Sequence, residues 1–138
     1  MPLHLTSAGV TESILYVDDL ERAVRFYAAL LGAPVIRRHD RFVALRLTPS
    51  QVLLLFLKGA STMPTVLAGG TIPPHDGSGA YHICFGMEAG DVPRWEERLR
   101  ELQAPIESRV DWPSGALSIY FRDPDQHMVE LATPGIWD

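Results

Sequence analysis

Between Glu12 and Val17 polar and apolar residues alternate. Glu12, Ile14 and Tyr16 share one face, and Ser13, Leu15 and Val17 share the other. A period of two predicts a strand with one covered face. Leu20, Val24, Tyr27 and Leu31 then recur at helical spacing, with Ala23 and Leu30 widening the stripe, which predicts an amphipathic helix. Asp18 or Asp19 precedes it as a cap, Gly32 follows as a left-handed terminator, and Pro34 bars continuation. Three strand patterns follow at 35–39, 42–47 and 52–57. The last is a continuous apolar run, which predicts a central strand covered on both faces. Residues 58–79 break the pattern with five glycines and three prolines and read as a linker or lid.

The order then repeats. Residues 80–87 predict a strand with His82 and Cys84 on one face and Ile83 and Phe85 on the other. Asp91 is expected to cap a helix whose stripe is Val92, Trp95, Leu99 and Leu102, with Glu96 and Arg100 spaced as an i,i+4 pair. Strands are predicted at 106–110, 116–122 and 128–133. Turns fall at Pro113-Ser114-Gly115 and at Asp123-Pro124-Asp125, whose carboxylates suit local backbone hydrogen bonds. The halves align. Gly32-Ala-Pro-Val35 matches Gln103-Ala-Pro-Ile106 at an offset of 71, and Val52–Gly59 matches Met128–Gly135 at an offset of 76. Glu12 then falls opposite His82, and Leu54 opposite Glu130. A strand-helix-three-strand unit is used twice: module one spans 12–58, the linker 59–79, and module two 80–135, within a single domain of 138 residues.

Composition narrows the partners. Twelve basic against seventeen acidic side chains give a net charge of −5, which disfavours a nucleic-acid partner. Cys84 is the one cysteine, so neither an internal disulfide nor a Cys-rich zinc site is available. Hydrophobic residues make up 46%, enough for a core, yet no apolar run reaches membrane-spanning length and the N-terminus does not read as a signal peptide. A soluble cytoplasmic protein is the expectation.

Glu130 is the odd residue, a carboxylate inside an otherwise apolar strand. If the modules share one fold, Glu12, His82 and Glu130 all fall away from the helix-packed face. They form an oxygen-nitrogen-oxygen set suited to Mn²⁺, Fe²⁺, Ni²⁺, Co²⁺ or Zn²⁺, in which Glu12 and Glu130 also have acid–base potential. Tyr120, Ser118 and Tyr16 are assigned to substrate. Cys84 is read as a small buried hydrophobe, and His39, His75 and His127 as solvated loop residues. Trp95 is expected to anchor its helix to the sheet, and Trp112 and Trp137 carry no assignment beyond packing or a pocket mouth.

The stretches Tyr16-Val-Asp-Asp-Leu-Glu-Arg-Ala-Val-Arg-Phe-Tyr27, Leu31-Gly32, Tyr81-His-Ile-Cys-Phe-Gly86 and Tyr120-Phe-Arg-Asp-Pro-Asp-Gln-His-Met-Val-Glu130 together resemble the vicinal oxygen chelate superfamily. That superfamily includes glyoxalase I, bleomycin-resistance proteins, extradiol dioxygenases and fosfomycin-modifying enzymes. The resemblance implies an α+β fold in which two βαβββ modules form a curved mixed sheet around a cleft, with helices on the outer face. It also implies a homodimer whose sites draw ligands from both modules, a divalent metal, and a small oxygenated substrate undergoing isomerisation, epimerisation or addition. The chain departs from the family pattern at Glu12, where histidine is usual, at Leu54, where many glyoxalases carry a glutamate, and at Gln126, where glycine is usual. The alternative is a metal-free, bleomycin-resistance-type protein that sequesters a drug or aromatic metabolite.

Overall fold

Asp19 accepts the backbone N–H of Arg22 on its carboxylate at 3.0 Å and so starts α1 (Leu20–Leu31). The helix buries Ala23, Val24, Tyr27 and Leu30 and ends at Gly32, whose φ of 60° is left-handed. The second helix, α2 (Val92–Glu101), ends in the same geometry with a different residue. Gln103 has φ 55°, Ala104 N–H reaches Leu99 C=O at 2.9 Å, and Gln103 N–H reaches Arg100 C=O at 3.0 Å, the paired bonds of a Schellman cap. Gly32 and Gln103 are the residues that the internal repeat aligned. Asp91 stands at the start of α2 without capping it; its carboxylate goes to Arg94 instead. The expected Glu96–Arg100 pair is also absent: Arg100 bonds Glu97, and Glu96 bonds Arg109 across to the sheet.

The structure, a computed structural model, describes residues 5–138, so Leu3 and His4 of the N-terminal arm lie outside the described residues. Leu5 and Val10, apolar residues ahead of the first strand, are exposed. Around α1 stand β1 (Glu12–Val17), β2 (Val35–Arg38), β3 (Phe42–Thr48) and β4 (Gln51–Leu57), in sheet order β1-β4-β3-β2. The linker contains a hairpin that the sequence did not announce, β5 (Thr65–Leu67) with β6 (Gly70–Ile72). With α2 come β7 (His82–Gly86), β8 (Ser108–Asp111), β9 (Leu117–Arg122) and β10 (Met128–Ala132), in order β7-β10-β9-β8. In each sheet the first strand runs parallel to the last and the other neighbours are antiparallel. Glu12 pairs with Val52, and His82 pairs with Met128, so the two registers reproduce the alignment of the halves.

One hydrophobic cluster serves both modules. It takes Leu15, Val17, Leu53 and Leu55 from the first sheet, Ile119, Phe121, Val129 and Leu131 from the second, and Tyr27 and Leu99 from the helices. The opposite face of each sheet is only partly covered, by the 59–79 linker on the first and by Trp112 on the second. The apolar run in β4 is therefore fully covered on one side only: Leu53 and Leu55 are fully buried, whereas Val52, Leu54 and Phe56 are half-buried.

The modules are joined by the turn between β9 and β10. Asp123 Oδ1 accepts the N–H groups of Asp125 and His127 at 2.9 and 2.8 Å, and Oδ2 accepts the Tyr27 hydroxyl at 2.6 Å. Asp125 Oδ1 accepts the Asp18 N–H at 2.8 Å and a guanidinium N–H of Arg22 at 3.3 Å. His127, expected in solvent, is fully buried. Its Nδ1 accepts the Tyr81 N–H at 2.9 Å, its Nε2–H donates to the Tyr16 carbonyl at 2.8 Å, and its ring stacks on Tyr81. The turn is pressed into the seam between modules, where an unpaired polar group would be costly. Burial, with the neighbouring Asp123 charge adding to it, pushes the Tyr27 phenol far above its ordinary range.

Two stability changes are expected. Gln103→Gly relieves a left-handed residue that costs about 1–2 kcal/mol and gives back part of this as chain entropy, so the unfolding free energy from urea titration should rise by about 0.5–1 kcal/mol; an unchanged or lower value counts against that strain. Tyr27→Phe leaves Asp123 Oδ2 buried without its donor and should destabilise by about 2–3 kcal/mol in the same measurement.

Candidate metal centre

The face of the second sheet opposite the core carries His82 and Cys84 on β7, Met128 and Glu130 on β10, and Ser118 and Tyr120 on β9. Register sets Glu130 between Cys84 on one neighbouring strand and Tyr120 on the other. The Glu130 side chain is 7% exposed and His82 is 46% exposed, so the carboxylate lies under the imidazole. His82 Nε2 is 3.2 Å from Glu130 Oε1. His82 Nδ1 is 3.2 Å from the Met128 carbonyl, and a carbonyl only accepts, so Nδ1 carries the proton and donates it. The second carboxylate oxygen is also engaged: Ser118 donates its hydroxyl to Glu130 Oε2 at 2.6 Å and receives the Trp112 indole N–H at 2.9 Å.

The consequence is chemical. In the singly protonated imidazole, Nε2 presents a lone pair toward Oε1, and two acceptors at 3.2 Å repel unless a positive centre lies between them. A second ring proton meets that need, and so does a divalent cation held by imidazole and carboxylate. The donor set fits a metal: Nε2 and Oε1 face each other, and Nδ1 and Oε2 are each anchored on the far side.

Several sequence assignments find different surroundings. Ser118 is fully buried, so it supports the carboxylate from beneath instead of facing the cleft. Tyr120 is half-buried on the face opposite the core, its ring stacked 6.4 Å from that of His82. Cys84 is exposed, not a buried hydrophobe. Arg122 pairs with Glu107 at 2.9 Å, leaving Glu130 to its own partners. Tyr16 is on the first sheet, its hydroxyl 2.7 Å from Nδ1 of His75 and its ring against Phe56 and Tyr81. His75 is thus packed, not solvated: the linker folds back over the sheet, helped by Asp76, whose carboxylate accepts the Gly59 N–H at 3.0 Å. Gly77 is required there, because a Cβ would collide with Tyr81 and Tyr16. His39 is exposed, as expected. Trp95 stands half-buried at the seam under the Arg98 guanidinium.

Glu12 is not brought to His82 and Glu130. It is exposed at the start of β1 and, with Cys84, Phe85 and Trp95, borders a cavity of about 530 Å³ between the first strands of the two modules. Among the described residues, no group of three or more His, Cys, Asp or Glu side chains converges on one point. A single chain assembles two of the three expected ligands. Trp112 is the residue that sequence reading missed; its one signal was a position just before the Pro113–Gly115 turn, six residues from Ser118.

Known proteins share this arrangement of modules. A lactoylglutathione lyase from Agrobacterium tumefaciens superposes with a TM-score of 0.83 at 32% identity, over 95% of this chain and 97% of that one. A metallothiol transferase FosB from Staphylococcus epidermidis is 31% identical over 124 residues, which is 88% of this chain and 79% of that protein. A FosB from Bacillus licheniformis is 38% identical over a shorter stretch of 58 residues, 41% of this chain and 38% of that protein. The fosfomycin resistance protein FosX from Listeria monocytogenes shares the fold, with a TM-score of 0.70 at 20% identity. A family model described as Glyoxalase/Bleomycin resistance protein/Dioxygenase superfamily matches residues 3–131. The chain belongs to that superfamily.

Proposed function

We propose that the protein is a metal-dependent, glyoxalase-like enzyme acting on a small oxygenated substrate. The observation that carries this is the His82–Glu130 pair: two acceptor atoms 3.2 Å apart, each oriented by a bond on its far side. His82 Nε2 and Glu130 Oε1 would hold a divalent ion from the Mn²⁺, Fe²⁺, Ni²⁺, Co²⁺ and Zn²⁺ group. When bound, the ion supplies Lewis acidity toward a substrate oxygen. Glu12 is the third ligand and the candidate base, contributed by a second copy of the chain. Supporting that reading, the face of the first sheet opposite the core is apolar around Ile14, Val52 and Leu54, all half-buried, and such a face suits an isologous dimer. Tyr120, on the rim beside His82, is placed to orient substrate. The relatives named above include a lactoylglutathione lyase and metallothiol transferases, and isomerisation and addition to a small oxygenated molecule are the two reaction classes retained.

The thiol is not the nucleophile. Although the residue is exposed overall, desolvation of its sulfur on the sheet surface, with the Glu130 charge adding to it, pushes the Cys84 thiol up to about 12, which leaves little thiolate at working pH.

Protein purified without added metal should carry near-stoichiometric transition metal by elemental analysis. His82→Ala and Glu130→Ala should lose it, and Glu12→Ala should weaken retention about tenfold or more. Protein that arrives empty and refuses Mn²⁺, Ni²⁺ and Zn²⁺ overturns the proposal in favour of a metal-free binder. A 1:1 mixture of refolded Glu12→Ala and Glu130→Ala chains should recover wild-type affinity at about a quarter of its sites, since half of random dimers are mixed and each has one intact site; no recovery refutes the shared site. For the thiol, alkylation of the EDTA-treated protein by iodoacetamide at pH 8 should run roughly a thousandfold slower than for a free cysteine, because a raised pKa depletes thiolate at fixed pH. Glu130→Gln should speed it.

A further inference from the structure

We infer that Trp112 is a positioning residue for the metal-binding carboxylate, acting through Ser118. The inference rests on the proposed role of Glu130 as a ligand and adds to it a residue outside the ligand set. Indole N–H is a donor only. Trp112 Nε1 lies 2.9 Å from Ser118 Oγ, so the hydroxyl receives that proton and must turn its own toward Glu130 Oε2, 2.6 Å away. Ser118 is fully buried and Glu130 nearly so, so no water substitutes freely for either bond.

The chain of two bonds has one permitted direction. It fixes the carboxylate rotation, occupies Oε2, and leaves Oε1 as the oxygen turned toward His82. Glu130 is thereby held as a one-oxygen ligand. Without the indole, the Ser118 hydroxyl rotates between Glu130 and other acceptors, and the carboxylate gains freedom that binding must again remove. Trp112 is held by its own turn: its backbone N–H donates to the Ala116 carbonyl at 2.9 Å, and its backbone carbonyl accepts the Gly115 N–H at 2.9 Å. The Ser114 hydroxyl ties the same turn to the Gly135 carbonyl at 2.7 Å. The Pro113–Gly115 turn therefore aims a side chain at the site from outside it.

The test is a double-mutant cycle on Mn²⁺ affinity, with thermal stability followed in parallel and the Trp112 indole proton followed by NMR. Trp112→Phe keeps the ring packing and removes the donor; it should weaken Mn²⁺ binding about tenfold. Ser118→Ala should weaken it by ten- to a hundredfold, the range for a partner that orients a ligand. The double variant should bind like Ser118→Ala alone, because the indole acts only through the hydroxyl. Fully multiplicative losses, or a Trp112→Phe protein that loses stability but not affinity, overturn the inference. The indole proton should exchange slowly in the metal-free wild type and at least tenfold faster in Ser118→Ala; equal exchange rates also overturn it. That last readout needs no metal, so it separates failure of the relay from failure of metal binding itself.

Discussion

The whole arrangement depends on the hydrogen-bonded turn at residues 123–127. A carboxylate in a protein seam is expensive unless its oxygens are hydrogen-bonded. Asp123 meets that condition with two backbone N–H groups of its own turn and the hydroxyl of Tyr27 from the other module. Asp125 reaches the entry to α1, and His127 reaches the carbonyl of Tyr16 on β1. Three residues of one module, Asp123, Asp125 and His127, thus satisfy backbone and side-chain groups of the other. The angle between the two sheets is set by hydrogen bonds with defined directions and not only by apolar contact, which is non-directional.

Because the turn also begins β10, it carries this rigidity into the site. Met128 follows His127 directly, its carbonyl anchors the His82 imidazole, and Glu130 lies two residues further along the same strand. The His82–Glu130 pair is therefore built on strand backbone adjoining the best-tethered part of the chain. Strand-borne ligands hold their positions more closely than loop-borne ones. The cost of burying Glu130 is offset locally by the Ser118 hydroxyl on Oε2, while Oε1 faces His82 Nε2.

Leu54 occupies in the first module the place of Glu130 in the second, and Glu12 that of His82. The duplicated units have diverged into an apolar face with one carboxylate and a polar face with the imidazole–carboxylate pair. Both faces point away from the shared core. Glu12 and the His82–Glu130 pair accordingly lie apart within one chain.

Much of this was legible in the residues. Alternation, helical stripes and the offset repeat located the principal strands and both helices, and the observed pairs Glu12–Val52 and His82–Met128 are equivalent positions under the alignment of the halves. They did so because period and turn chemistry are local properties that follow the chain. The left-handed terminator at Gly32 was legible for the same reason, while Gln103 hid an identical geometry behind a residue that rarely adopts it. Tertiary structure decided the rest. His127 became a buried link, His75 a lid over Tyr16, Ser118 a support for Glu130, and Trp112 its outer partner, and each outcome turned on which surface a side chain met after the modules docked. Polar side chains in short loops carry no periodic signal, so their partners are chosen only when distant segments come together.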